Sequence, residues 1–132
     1  MMLRVATALG WIILLLETAL ALPPGFVDDV VADGFEQAVG LTHDSTGRLY
    51  VWEKRGALWV VENGVRLPQP LVDLSEEVAN SRDFGLLGVA LDPNFRTNGH
   101  VDLLYMVDRH HLLNFGTPSY DPEANDVTGV QQ

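Results

Sequence analysis

Residues 85–95 read GLLGVALDPNF, a glycine-punctuated apolar run that ends on Asp92-Pro93-Asn94 and the bulky Phe95. RTNGH (96–100) and a second apolar run, VDLLYMV (101–107), follow. A strand, a tight corner and a second strand account for this order. Asp92 and Asn94 can accept hydrogen bonds from nearby backbone N–H groups, Pro93 fixes φ, and Phe95 can fold back over the turn. Gly85, Gly88, Val89 and Ala90 are small, as suits a strand buried on both faces where a neighbouring sheet comes close.

The same device occurs upstream. GLTHD (40–44) precedes a short Gly-containing turn and RLYVWE (48–53), and Asp44 lies 48 residues before Asp92. Between the two copies sit ALWVVE (57–62) and a further strand around PLVDL (70–74). Asn63-Gly64, flanked by β-branched and aromatic runs, is a strong hairpin signal. The apolar runs are too short, and too often broken by glycine, for helices. FVDDVV (26–31) reads as one more strand. Ser75–Phe84 is polar, either one helical turn or a loop. Residues 110–132 show no periodicity and read as a loop or irregular tail. Four strands per period of about 40–50 residues mark a β-propeller blade. An ordinary antiparallel sandwich also places turns every ~8–12 residues, so spacing leaves both open.

The chain has 132 residues, which sets a prior of one domain or less. Arg4, the uncharged apolar run Val5–Leu16 and an Ala-x-Ala site at Ala19 and Ala21 predict a signal peptide over residues 1–21. The run's 12 residues fall short of the ~20 needed to cross a bilayer. No stable membrane span is therefore expected after cleavage, and the mature chain is expected to be secreted or periplasmic. The formal net charge is −10, and cleavage removes Arg4 and Glu17 together, leaving it unchanged. With eight scattered Lys and Arg residues, nucleic acid is not an expected partner, because phosphate binding relies on clustered cations. There are no cysteines, so neither disulfides nor thiolate chemistry is available and stability comes from packing.

GLTHD (40–44), GRLYVWE (47–53), GALWVVENG (56–64) and GLLGVALDPNF (85–95), after a Gly-Phe opening, carry a specific resemblance. Over about Gly25 to Asp108 the chain resembles the N-terminal part of the glucose/sorbosone dehydrogenase family. The resemblance implies an all-β six-bladed propeller, of which residues 22–109 would supply about one and a half blades. It also implies an oxidoreductase acting on the CH–OH group of a sugar, with pyrroloquinoline quinone (PQQ) as acceptor and calcium to polarise it. A histidine base would take the anomeric proton while the quinone carries the redox chemistry. In the family, that base and the contacts to calcium and cofactor come from later blades. The expectation is therefore an incomplete propeller, inactive by itself, with neither catalytic nor cofactor residues within this chain. The alternative is a non-catalytic propeller module that binds carbohydrate or protein. The family position two residues before the first glycine of GLLG faces the sugar and looks like Gln in sugar oxidisers. Here it is Asp83, the single substrate-binding candidate.

The remaining polar residues read as structural. His110 and His111, near Asp108, would point to opposite faces of a strand and could share a metal only from a loop. His43 reads as a hydrogen-bonded turn histidine, and His100 as exposed. Tyr50, Trp52 and Trp59 form a sugar-stacking platform on one reading and inter-sheet packing on the favoured one. Asp73, Glu76 and Glu77 lack the spacing of a regular calcium loop.

Overall fold

The computed structural model describes residues 23–124. The predicted signal peptide (1–21) and the end of the predicted tail (125–132) lie outside the described residues. The described residues form seven strands and two short helices: β1 (Ala38–His43), β2 (Leu49–Glu53), β3 (Ala57–Glu62), β4 (Val65–Arg66), β5 (Val72–Asp73), β6 (Leu86–Leu91), α1 (Phe95–Asn98), β7 (Val101–Tyr105) and α2 (Arg109–Asn114). One sheet runs β1-β2-β3-β4 with β5 also on β3, and a second pairs β6 with β7; all pairings are antiparallel.

β4 and β5 are two pieces of one fourth strand. β4 pairs with the end of β3 at Val61 and Glu62, and β5 with its start at Ala57 and Leu58. Pro68 and Pro70 interrupt the ladder between them, which an edge strand tolerates. Leu67 N–H to Val60 O (2.9 Å) and Leu71 N–H to Leu58 O (2.7 Å) keep the segment on β3. The result is a four-stranded meander whose neighbours in sequence are neighbours in space. Such an order suits a propeller blade, whereas a sandwich uses Greek-key crossovers. β6 and β7 begin the next blade. Neither sheet closes, so the fold is all-β, about one and a half blades of a propeller.

The core lies between the sheets. Alternation places Tyr50 and Trp52 of β2 and Leu58 and Val60 of β3 on the face that meets Leu86 of β6, and all five are buried. Val89, Leu91, Val101, Leu103 and Tyr105 complete this layer from the second sheet. The register slips between Leu86 and Gly88, making Leu87 the extra residue of a β-bulge. That bulge explains why Leu86 and Val89, three apart, share one face.

Several expectations change on contact with the structure. FVDDVV forms no strand, and Phe26, Val27, Val30 and Val31 are exposed. A strand needs a partner ladder, and no described strand runs alongside this one. β6 is not buried on both faces: Leu87 and Ala90 are exposed on its outer side. The Asp-Pro-Asn corner is longer than a tight turn, because one helical turn, α1, is inserted and closed by Gly99 in the left-handed conformation (φ 70°). Residues 109–114 are helical where an irregular tail is expected. The Oδ1 atom of Asp108 accepts the N–H groups of His110 (2.8 Å) and His111 (3.1 Å), an N-cap that starts α2.

Candidate functional site

Asp83 sits on a turn whose backbone is fixed while its side chain is free. Phe84 N–H bonds Ser81 O (2.9 Å), and Lys54 Nζ donates to Arg82 O (2.6 Å). Arg82 adopts a positive φ of 48°. Immediately beyond, Leu86 N–H bonds Lys54 O at 2.8 Å, joining the second sheet to the end of β2. Gly85 permits that approach, since a Cβ there would stand 2.7 Å from the Lys54 carbonyl oxygen. Gly88 has no such role, because its Cβ would meet only Leu104, at 3.6 Å. The Asp83 carboxylate is exposed and makes no hydrogen bond among the described residues.

The aromatic platform resolves into packing. Tyr50 and Trp52 lie in the core. Trp59 is on the opposite face of β3, where the Arg66 guanidinium stacks 4.0 Å from its ring centroid and also approaches Phe35 (5.7 Å). Arg66 thus covers the ring that a sugar would need. Around it lies a polar cleft of about 370 Å³ lined by Glu36, Glu53, Arg55, Asp73 and Ser75 among others. Within it Glu53 Oε1 accepts the Glu36 backbone N–H (2.7 Å) and lies 3.8 Å from Arg66.

A buried carboxylate that sequence reasoning passed over holds the two sheets together. Asp44 Oδ1 accepts Thr46 N–H (2.8 Å), Thr46 Oγ1–H (2.6 Å) and Arg48 N–H (3.2 Å), while Oδ2 accepts Tyr50 O–H (3.0 Å) and faces Arg96 Nη1 at 3.4 Å. The Thr46 hydroxyl, followed by its N–H and the Tyr50 hydroxyl, holds the Asp44 carboxyl well below the usual carboxylate range. Burial, with Asp44 beside it, raises the Tyr50 phenol. Phe95 packs edge-on against the Tyr50 ring (5.4 Å, 87°), reaching across to the first sheet instead of covering its own turn. The signal was present in DSTGR, where an Asp precedes a Thr by two residues, the spacing of a side-chain-capped turn.

The histidines and acidic residues near the end form a different cluster. His111 Nδ1 lies 3.0 Å from the Tyr120 hydroxyl, and its Nε2 lies 3.5 Å from Glu77 Oε2. His110 Nε2 instead accepts Asp121 N–H at 3.0 Å. Glu77 Oε1 accepts Tyr105 O–H (2.9 Å), Glu76 Oε1 accepts Tyr120 O–H (2.5 Å), and Asp73 Oδ1 accepts Ser75 N–H (3.0 Å). Each group thus faces its own partner, and among the described residues no three His, Asp or Glu side chains converge as metal ligands. His43 Nδ1 contacts the Asp44 carbonyl (3.2 Å), a turn role, and His100 is exposed.

Calcium and PQQ are the groups the resemblance implies. Among the described residues no set of His, Asp or Glu side chains converges, so they do not fit calcium, and none is assigned to either group. No helix among the described residues is long and apolar enough to cross a membrane. No curated protein matches the chain. Residues 35–117 match the glucose/sorbosone dehydrogenase family, and they contain both sheets, the Asp44 hub and Asp83. The chain, matched over more than half its length and folded as successive propeller blades, belongs to the glucose/sorbosone dehydrogenase family.

Proposed function

We propose that this chain is the N-terminal blade region of an exported, quinone-dependent sugar dehydrogenase. It contributes scaffold and one sugar contact, and is inactive by itself. The observation that carries this reading is the family match over 35–117 on sheets that remain open. Its blade faces carry exposed Leu87 and Leu104 on the second sheet and exposed Leu41 on the first, surfaces suited to further blades. PQQ, when bound, supplies the hydride acceptor; the sugar and calcium are its companions in the family chemistry.

Asp83 is the residue of this chain assigned to the sugar. An ionised carboxylate can accept two hydroxyl hydrogen bonds, and its fixed turn limits the entropy lost on binding. The test has two arms. The chain, supplied with PQQ, calcium, an aldose and an electron-accepting dye, is expected to give no turnover above the blank. Joined to the later blades of a glucose/sorbosone dehydrogenase family member, it is expected to oxidise the aldose, with Asp83→Ala raising KM by about tenfold, the worth of one charged hydrogen bond. Turnover by the chain alone would overturn the scaffold role. An unchanged KM would remove Asp83 from the sugar site.

A further inference from the structure

We infer that His110 and His111 form a two-proton clamp that docks residues 109–124 onto the 74–78 turn most tightly when His111 is charged and His110 is neutral. The assignment follows from counting protons along the hydrogen bonds. Tyr120 has one hydroxyl proton and gives it to Glu76 Oε1 (2.5 Å). Its oxygen can therefore only accept from His111 Nδ1, 3.0 Å away, which must carry hydrogen. A neutral His111 then turns the lone pair of Nε2 toward Glu77 Oε2, 3.5 Å away, and the contact is repulsive. With a second proton the same contact becomes a charge-assisted pair.

Neighbouring groups hold this geometry in place. Tyr105 of β7 donates to Glu77 Oε1 and fixes the carboxylate toward His111. Glu76 and Glu77 come from the turn, and Asp108 caps α2 from below. The His111 ring stacks on Phe115 (4.7 Å) and meets the edge of Tyr120 (5.5 Å). Tyr120 stays protonated throughout the neutral range: burial, then its bond to Glu76, pushes the phenol up to about 12.

His110 has the opposite requirement. Its Nε2 accepts the Asp121 N–H at 3.0 Å, which leaves the neutral ring's hydrogen on Nδ1. The Asn114 amide nitrogen, 3.2 Å from Nδ1, therefore gains no acceptor there and donates to His110 O (3.1 Å). Protonation of Nε2 removes the acceptor and releases Asp121. Histidine is the side chain that changes charge between roughly pH 5 and 8. Docking is thus expected to weaken on both sides of an intermediate pH, through His110 as pH falls and through His111 as it rises. The clamp is independent of the sugar chemistry proposed above.

Hydrogen exchange of the full chain, read by mass spectrometry in dilute solution, tests this. Protection factors corrected for intrinsic exchange are compared for residues 109–124 and, as an internal reference, for β2 and β3. Wild-type protection of 109–124 should pass through a maximum and fall by about threefold on each side, the scale of a partly screened pair, while the reference stays level. His111→Phe keeps the ring contacts and should abolish the alkaline decline alone. His110→Phe keeps the stack on Tyr120 (5.7 Å) and should abolish the acid decline alone. Flat or one-sided wild-type protection, or an alkaline decline that survives in His111→Phe, would overturn the clamp.

Discussion

Asp44 shows how one side chain can fix a corner. Its carboxylate accepts from two residues of its own turn and from Tyr50 in the core, and it meets Arg96 of the second blade. Asp44→Asn replaces an oxygen with an N–H₂ group aimed at a donor, which leaves donors unpaired. The urea midpoint, followed by tryptophan fluorescence, should fall further for Asp44→Asn than for Thr46→Ala, which removes a single hydroxyl. The pH dependence has a definite sign. Because folding depresses the Asp44 carboxyl, its contribution is complete above the unfolded carboxylate range near ~3.9 and is lost as pH falls through the folded value. Asp73 and Asp92 are also lowered, by Ser75 and by the Asn94 N–H respectively, so they add to the same acid limb. Unfolding free energy should decline below about pH 4 in the wild type, and less steeply in Asp44→Asn. Neither Asp44 nor Arg96 announces itself in the sequence as a pair, since 52 residues separate them.

At the scale of elements, the hairpins are the parts most directly written in the chain. Asn63 and Gly64 both take positive φ (54° and 77°), which is what a two-residue turn matched to strand twist requires. Gly64→Ala should cost about 1 kcal/mol, through backbone strain and a Cβ placed 3.2 Å from the Val31 carbonyl oxygen. Gly85 is more demanding. Its φ is 148°, and an added Cβ would collide with the Lys54 carbonyl that binds Leu86 N–H. Gly85→Ala should cost at least about 2 kcal/mol, and calorimetry of the two glycine variants would rank them in this order. The helices α1 and α2 escaped sequence reasoning because they run only 4 and 6 residues. At that length no hydrophobic period can develop; a cap at Asp108 and a left-handed Gly99 start and stop them instead. The missing strand at FVDDVV is the converse case. Its valines suit a sheet, but a strand exists only where another backbone presents its N–H and C=O groups.

For the whole molecule, the buried layer between the two sheets is the main source of stability. Leu86 is fully buried at its centre, so Leu86→Ala should cost about 2–5 kcal/mol and loosen both sheets together. The outer faces are the counterpart. Leu104 is 68% exposed on β7, and Phe26, Val27 and Val30 are more exposed still. Open sheet edges and uncovered apolar side chains favour association. Sedimentation velocity should therefore show concentration-dependent self-association of the chain, and Leu104→Lys should reduce it; a strictly monomeric wild type at high concentration would contradict this.

Local chemistry was enough to determine the strand-and-turn grammar. Asn-Gly and Asp-x-Thr-Gly set turns, alternation set which side chains share a face, and glycine-broken apolar runs excluded long helices, because each depends on residues a few positions apart. The family could be read for the same reason, from short motifs in fixed order. Long-range contact decided the rest. Which face of β2 became core, whether FVDDVV would pair, how Phe95 would cross to Tyr50, and where Asp44 would meet Arg96 all depend on groups brought together by packing. A side chain's burial and charge state are set by the neighbours that folding delivers, and sequence spacing alone does not specify those neighbours.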